Sequence, residues 1–222
     1  MSKKYQILYL ISLICISQYI ITTSILFYFY EGGARSNFDY TGYVFFENFL
    51  SDLGREVNFR GANNATAPFY ALTLSFVGVG TLCFFLYLKQ MFDGFLFSKI
   101  GGVTGACSGI SLALVGLFAV DQSRTLHLSF LGVGYILFFI TLVGYNVLMY
   151  KEKQKFKKVL LLTSILNLGL LTYIFILIFG GDPASNMQSL SLQVVAQKII
   201  VYGQLIILGL VLVLLRPSIL TK

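Results

Sequence analysis

Residues 126–158 are LHLSFLGVGYILFFITLVGYNVLMY followed by KEKQKFKK, an apolar run that ends in a basic one. The apolar part is longer than the roughly 20 residues that a helix needs to cross a bilayer. The basic part is typical of a loop that stays on the cytoplasmic side of a membrane. This segment therefore predicts a transmembrane helix and also gives that helix a direction.

Five further apolar stretches make most of the chain a series of membrane-spanning segments. The six predicted helices cover about residues 5–30, 67–88, 100–120, 126–150, 159–179 and 194–215. With 57% hydrophobic residues among 222 and a mean hydropathy of +0.81, no intervening segment is long enough for a second domain. We predict one all-α domain over residues 1–222, a polytopic bundle of six transmembrane helices.

The basic residues outside the apolar stretches divide unequally between the two sides of the membrane. Eleven lie on the N-terminal side and five on the other; the eleven are Lys3, Lys4, Lys89, Lys99, Lys151, Lys153, Lys155, Lys157, Lys158, Arg216 and Lys222, and the five are Arg35, Arg55, Arg60, Arg124 and Lys198. The positive-inside rule then predicts a multi-pass protein of the cell membrane with both termini cytoplasmic. The +7 charge indicates contact with anionic lipid rather than with nucleic acid.

The longest outer loop, residues 31–66, contains one amphipathic pattern. In Tyr43–Leu53 the apolar residues recur at helical spacing, and Gly54 follows where a helix C-terminus favours glycine. We predict a helix lying in the outer interface with its phenylalanines toward the lipid. The sequon Asn64-Ala65-Thr66 is on the outer side, but it adjoins the second helix too closely to favour glycosylation.

Asp52 falls in the last turn of this predicted interfacial helix, where the helix dipole disfavours a negative charge. Such an acid needs a compensating cation, and Arg55, Arg124 and Lys198 are candidates on the same side. Two interpretations stay open at this point. Asp52 forms a salt bridge that ties the loop to the bundle, or it contributes to a headgroup-sized polar pocket.

Two other outer segments carry polar residues. In residues 121–127, DQSRTLH, Ser123 or Thr125 can cap the fourth helix, and His127 falls in its first turn next to Asp121 and Arg124. A helix N-terminus disfavours an imidazolium, so we expect His127 to be neutral, as a structural hydrogen-bonding group or as a base.

The sixth helix places three glutamines on one face: Gln193, Gln197 and Gln204. Glutamines within a lipid-buried helix need internal partners, so this face is predicted to point inward. Lys198 adjoins it near the outer interface, either extended toward water or paired with Asp52, Asp121 or Asp182.

Small residues and hydroxyls indicate how the helices pack. Gly101, Gly105 and Gly109 recur every fourth residue, which places the third helix at the centre of the bundle in close contact with its neighbours. The first helix has a polar stripe that favours packing inward; it comprises Tyr5, Tyr9, Ser12, Tyr19, Thr23 and Tyr30. Three cysteines at membrane depth and a single histidine predict no disulfide framework, metal site or cofactor.

At this stage the chain resembles a known family. The residues that carry the resemblance are Phe49-Leu50-Ser51-Asp52-Leu53-Gly54, Asn63-Asn64 and His127. They resemble the integral-membrane domain-of-unknown-function family 998 and, more distantly, the Frag/DRAM/Sfk group. The resemblance implies six helices and an outer polar cluster of Asp52 and His127, and it supplies no reaction. The distant group is associated with lipid organisation and lipid-anchor remodelling. The chain lacks the several metal-binding histidines of ceramidase-like membrane enzymes.

Three functions fit these observations. The first is binding of a lipid or amphiphile headgroup in an outer-face pocket; its candidate residues are Asp52, Arg55, Asp121, Arg124, His127, Gln197 and Lys198. The second is a membrane-embedded lipid-modifying enzyme that uses Asp52 and His127. The third is a structural accessory subunit that contacts a protein partner through residues 31–66. The sequence leaves the oligomeric state open.

The predicted orientation can be measured directly. A cysteine introduced at Glu152 should react with an impermeant maleimide only from the cytoplasmic side, and one at Asp39 only from the exterior. Labelling of both positions from the same side would contradict the six-helix topology.

Overall fold

A computed structural model of the 222-residue chain describes residues 3–216 and contains six long helices in that range. They are α1 Lys3–Phe29, α2 Ala67–Met91, α3 Leu96–Val115, α4 Arg124–Lys151, α5 Lys153–Phe179 and α6 Met187–Leu214. Each is long and apolar enough to cross a membrane. The prediction of an all-α, six-helix membrane bundle is confirmed. Lys222, one of the eleven basic residues counted above, lies outside the described residues.

Several helices extend beyond the apolar stretches that predict them. The basic segment 151–158, predicted as a loop, is helical apart from a turn at Glu152, because lysine, glutamine and glutamate favour helix once the chain has left the hydrocarbon. At the other end of the bundle, Ser123 caps α4 by accepting a hydrogen bond from the Leu126 N–H, as predicted. We call the end that carries residues 30–66 the long-loop end.

The six helices form a closed ring. Each helix packs against its neighbours in sequence, and α6 packs back against α1. The close packing predicted for α3 is present: a Cβ on Gly109 would lie 2.6 Å from the Gly78 carbonyl oxygen and 2.5 Å from the Leu82 nitrogen. The predicted position at the bundle centre is wrong, because α3 contacts α2 and α4 within the ring and no helix occupies its axis.

The two ends of the ring are filled differently. Toward the short-loop end, aromatic side chains meet on the axis, with ring centroids 5.2 Å apart for Phe85 and Phe138 and 5.1 Å apart for Phe92 and Phe156. All four of these side chains are buried. Edge-to-face and tilted contacts of this kind exclude water and polar groups. At the long-loop end the rings near the axis include tyrosines, such as Tyr19 and Tyr70, and the loop covers them.

The loop over residues 43–54 differs from the predicted interfacial helix. The structure has a turn near residues 45–47 and a five-residue 3-10 helix, Leu50–Gly54. The side-chain oxygen of Asn48 accepts from the Val44 N–H at 2.8 Å, and the Asp52 carboxylate accepts from the Phe49 N–H at 2.8 Å. These bonds satisfy backbone donors outside an α-helix, which is the physical reason for the correction.

The 3-10 helix lies across the mouth of the ring. Leu50 and Leu53 are buried there, and the Leu50 N–H donates to the Gln197 side chain of α6 at 2.8 Å. The side-chain amide nitrogen of Asn64 holds this segment in place, because it donates to the carbonyl oxygens of Leu53 at 3.1 Å and Arg55 at 2.8 Å. Because this amide is buried and bonded, the sequon at Asn64 is not presented to an enzyme in the folded protein.

A matched pair of glycine variants tests the packing of α2 on α3. Gly109→Ala should destabilise the protein by about 1–3 kcal/mol, since the new methyl group would overlap the backbone of α2. Gly132→Ala in α4 has nothing within 4 Å of the added carbon. It should be neutral or stabilising by about 0.5–1 kcal/mol through helix propensity alone. Denaturant unfolding in detergent micelles measures both, and equal stability of the two variants would contradict the close approach.

Candidate functional site

A cavity lies on the axis of the ring directly beneath the 3-10 helix. Its volume is about 50 Å³, and we call it the inner cavity. All six helices contribute to its wall, and Leu50 and Ser51 of the 3-10 helix cover it. The polar residues in the wall are Tyr19, Ser51, Tyr70, His127, Tyr135, Tyr173, Gln197 and Gln204. Leucines and valines form the rest of the wall. A cavity of this volume with several polar groups in its wall holds a few water molecules or part of a ligand.

Two further voids adjoin the inner cavity. The neck, of about 10 Å³, shares Ser51, Tyr70 and His127 with the inner cavity and has room for about one water-sized group. Beyond it the outer groove, of about 470 Å³, lies between α2 and the turn after α3 and shares Ala71 and Ala119 with the neck. Neighbouring voids share wall residues, so the three lie in order from the surface of the long-loop end, past His127, toward the ring axis.

His127 has a defined orientation at the neck. Its side chain is 5% exposed, and Nδ1 lies 2.7 Å from the carbonyl oxygen of Phe118. A carbonyl oxygen only accepts, so Nδ1 carries the proton of this hydrogen bond. In the neutral ring, which the sequence predicts at a helix N-terminus, Nε2 is then a free acceptor. His127 is thus a positioned hydrogen-bond acceptor at the narrowest point of the series.

The polar groups of the inner cavity are only partly bonded to one another. The hydroxyls of Tyr19 and Tyr70 are 3.1 Å apart and share one hydrogen bond. The Gln197 side-chain oxygen is used by the Leu50 N–H. Gln204 is 3% exposed, and its Oε1 has no hydrogen-bond partner. The prediction that the glutamine face of α6 points inward is confirmed, and one of its oxygens is left free.

Asp52 is buried at 3% exposure but does not line the inner cavity or the neck. Its Oδ2 accepts from the Phe49 N–H at 2.8 Å and from the Asn48 amide at 3.4 Å. Burial raises the pKa of this carboxyl to about 6, against the lowering effects of the Phe49 N–H and of the Arg55 charge. Asp52 therefore stabilises the start of the 3-10 helix through these hydrogen bonds. Its neighbour Ser51, and not Asp52, lines the inner cavity.

Lys198 is also buried, and both predictions made for it are wrong. It neither extends to water nor pairs with an aspartate within 4 Å, since the only salt bridge among residues 3–216 joins Lys155 and Glu152. Its Nζ donates to the Asn48 carbonyl oxygen at 2.6 Å and lies 5.3 Å from the Tyr43 ring centroid and 4.9 Å from that of Phe45. The Lys198 amino group is therefore stabilised by a backbone carbonyl and by two aromatic rings, and not by the predicted carboxylate.

The remaining predicted residues support the loop. The Asp121 carboxylate accepts from the Glu56 N–H at 3.1 Å and the Val57 N–H at 2.9 Å, which ties residues 56–57 to the turn before α4. The Arg55 Nε donates to the Val57 carbonyl at 3.1 Å, and its guanidinium lies 4.4 Å from the ring centroid of Phe59. Arg124 is exposed at the start of α4.

The structure therefore divides the seven predicted residues. It brings His127 and Gln197 together at the inner cavity, whereas Asp52 and Lys198 meet Asn48 on the other side of the 3-10 helix. The prediction that Asp52 and His127 converge on one cavity is wrong, because Ser51 lines the cavity and Asp52 does not. Successive residues of a 3-10 helix point about 120° apart, so these two neighbours face different sides. The site residues missing from the sequence-based set are Ser51, Tyr19, Tyr70, Tyr135, Tyr173 and Gln204.

The chain was compared with known proteins. No family model matches it, and no curated protein or solved structure matches it. The resemblance to family 998, which is carried by Ser51–Gly54 and His127, stays a prediction.

The burial of Asp52 predicts a pH-dependent stability. Because the pKa is raised from 3.8 to about 6 on folding, the folded state binds more protons than the unfolded state between these values. This group's contribution to stability should fall as the pH rises from about 4 to about 6 and stay constant above that, a total loss of roughly 3 kcal/mol.

Asp52→Asn, which keeps the shape and an acceptor oxygen, should remove this slope. The difference in free energy of unfolding between the variant and the wild type, measured in detergent micelles from pH 4 to pH 7, isolates the contribution of Asp52. A difference that does not change with pH would contradict the raised pKa.

Proposed function

We propose that this protein binds a membrane lipid or other amphiphile at its long-loop end, with the polar headgroup in the outer groove. The observation that carries the proposal is the series of outer groove, neck and inner cavity, which leads from the surface to polar groups on the ring axis. A groove of about 470 Å³ is within the range of ligand sites in proteins. The neck and inner cavity are far too small for a whole headgroup.

The walls of the outer groove suit an amphiphile. Polar groups come from the loop and from the turn before α4, and they include Glu56, Asn63 and Gln122. Leu117, which is 65% exposed, lines the same groove, and Leu72 follows Pro68 by one helical turn and is 54% exposed. A headgroup placed among these polar groups would therefore have its acyl chains beside apolar side chains of α2 and of the turn after α3.

The cellular setting is part of the proposal. We propose that the long-loop end faces the exterior of the cell membrane, with both termini in the cytoplasm, on the basis of the eleven-to-five division of basic residues. The groove would then meet the outer leaflet. A relationship to family 998 is proposed on the same footing, and it is supported by the part that Ser51 and His127 play in lining the neck.

The enzyme alternative has one observation in its favour. His127 places a free acceptor nitrogen at the neck, where it could take a proton from a bound group. Asp52, the second residue of that prediction, is outside the three voids. An accessory subunit that docks a partner through residues 31–66 would copurify with that protein in a fixed ratio. These alternatives give different results in the experiment that follows.

Lipid retention by purified protein tests the proposal. Ala119→Phe places a large ring where the outer groove meets the neck and should reduce bound lipid at least tenfold, as measured by mass spectrometry of denatured samples. Ala184→Phe is the matched control, since it is an exposed alanine in the loop after α5 at the same end of the bundle. Both variants should unfold at the temperature of the wild type.

Equal lipid retention by the two variants would contradict binding in the groove. Chemically altered lipid released on incubation would favour the enzyme, and a stoichiometric protein with no lipid would favour the accessory subunit.

A further inference from the structure

We propose that the inner cavity binds a hydroxyl group of an uncharged headgroup, such as a sugar, a polyol or glycerol. The inference rests on the proposed function and assigns a ligand class to a second, deeper site. In this arrangement the headgroup occupies the outer groove, and one hydroxyl-bearing arm extends through the neck past His127 to the ring axis.

The free oxygen of Gln204 is the first reason. Gln204 is 3% exposed and lines the inner cavity, and its Oε1 has no hydrogen-bond partner among residues 3–216. An unpartnered amide oxygen within a membrane bundle is costly, because neither lipid nor a neighbouring helix supplies a donor. A donor that enters the cavity removes this cost, and a hydroxyl group is the smallest neutral donor that a headgroup carries.

The other polar groups of the wall complement a hydroxyl. His127 offers an acceptor nitrogen at the neck, since its Nδ1–H is already given to Phe118. Tyr135 and Tyr173 line the cavity with hydroxyls of their own, which donate or accept as the ligand requires. A hydroxyl group both donates and accepts, so it can bond to Gln204 and to a tyrosine at the same time.

The absence of charged side chains from the wall disfavours a charged group in the inner cavity or the neck. No lysine, arginine, aspartate or glutamate is among the described residues that line the inner cavity or the neck. The nearby Lys198 is turned away and bonded to the Asn48 carbonyl. A phosphate or an ammonium group in this cavity would be a buried charge with no opposite charge to pair with.

The small volumes of the neck and the inner cavity also favour a hydroxyl group as the ligand. The neck has a volume of about 10 Å³, which is about the space of one water molecule. A hydroxymethyl arm is the polar group of a headgroup closest to this size, whereas a phosphate or a trimethylammonium group is much larger. The inner cavity, at about 50 Å³, has room for the end of such an arm together with one or two waters.

Two lipids with the same acyl chains serve as probes: a monoglucosyl diacylglycerol and a phosphatidic acid. Each is titrated into purified protein in detergent, and binding is followed by native mass spectrometry and by the shift in unfolding temperature. The wild type should bind the glycolipid at least tenfold more tightly than phosphatidic acid. Gln204→Leu should weaken glycolipid binding about tenfold and leave phosphatidic acid unaffected.

Asn167→Leu is the matched control. Asn167 lies in α5, is 8% exposed and also has an unpartnered side-chain oxygen, but it lines none of the three voids. Without lipid, both leucine variants should be at least as stable as the wild type, since each replaces an orphan oxygen by an apolar group. Tyr173→Phe removes only a hydroxyl from the cavity wall and should weaken glycolipid binding without altering the fold.

The outcomes separate this inference from the proposed function. If Ala119→Phe abolishes glycolipid binding while Gln204→Leu and Tyr173→Phe bind like the wild type, the inner cavity holds only water and the inference is overturned. Phosphatidic acid binding as tightly as the glycolipid would also overturn it. If Ala119→Phe itself binds the glycolipid normally, the proposed function fails as well.

Discussion

The side-chain amide of Asn64 is the interaction on which the long-loop end depends. It donates to three carbonyl groups of the segment that covers the ring, those of Asp52 at 3.4 Å, Leu53 at 3.1 Å and Arg55 at 2.8 Å. Thr66 adds a bond from its hydroxyl to the Leu53 carbonyl at 2.8 Å. One residue at the start of α2 thereby fixes the height and direction of the 3-10 helix, and the roof of the inner cavity follows from that position.

The closed ring imposes a second constraint. Side chains must fill the axis of a ring of six helices, or a void remains there. In this protein the axis is filled at the short-loop end and has a cavity at the long-loop end. Aromatic rings occupy the short-loop half, where they pack without needing hydrogen-bond partners. In the long-loop half, tyrosines, glutamines and a histidine lie among leucines and valines around the cavity, and these polar groups cannot pack together without satisfying their donors and acceptors.

Hydropathy and charge were enough to predict the helices. Their number, order and approximate bounds follow from apolar length, because the bilayer sets that length independently of tertiary contacts. The face of α6 was also predictable, since glutamines within a membrane helix must point inward. The conformation of residues 43–54 was not predictable in this way. The apolar periodicity favours an α-helix there, but the side chains of Asn48 and Asp52 form local hydrogen bonds with the backbone that compete with it.

The site was predicted only in part, for a related reason. His127 and Gln197 stand out as rare polar residues, whereas Tyr135 and Tyr173 are two of 14 tyrosines and reveal their role only when the ring closes around them. Ser51 faces the cavity and Asp52 does not, because residues 50–54 form a 3-10 helix. The spacing of the apolar residues did not predict that helix. The ring itself is a long-range arrangement that the pairwise pattern of small residues in α3 does not disclose.

Closure of the ring by α6 has a consequence for how the protein is made. Residues 30–66 are synthesised well before α6, yet the Leu50 N–H and the Asn48 carbonyl find their partners on Gln197 and Lys198, which are 147 and 150 residues further along the chain. Until α6 is inserted, the covering segment has nothing to close against and its buried polar groups remain open to water. Assembly of this end therefore waits for α6, and a nascent chain arrested before α6 would display the whole segment to membrane chaperones and proteases.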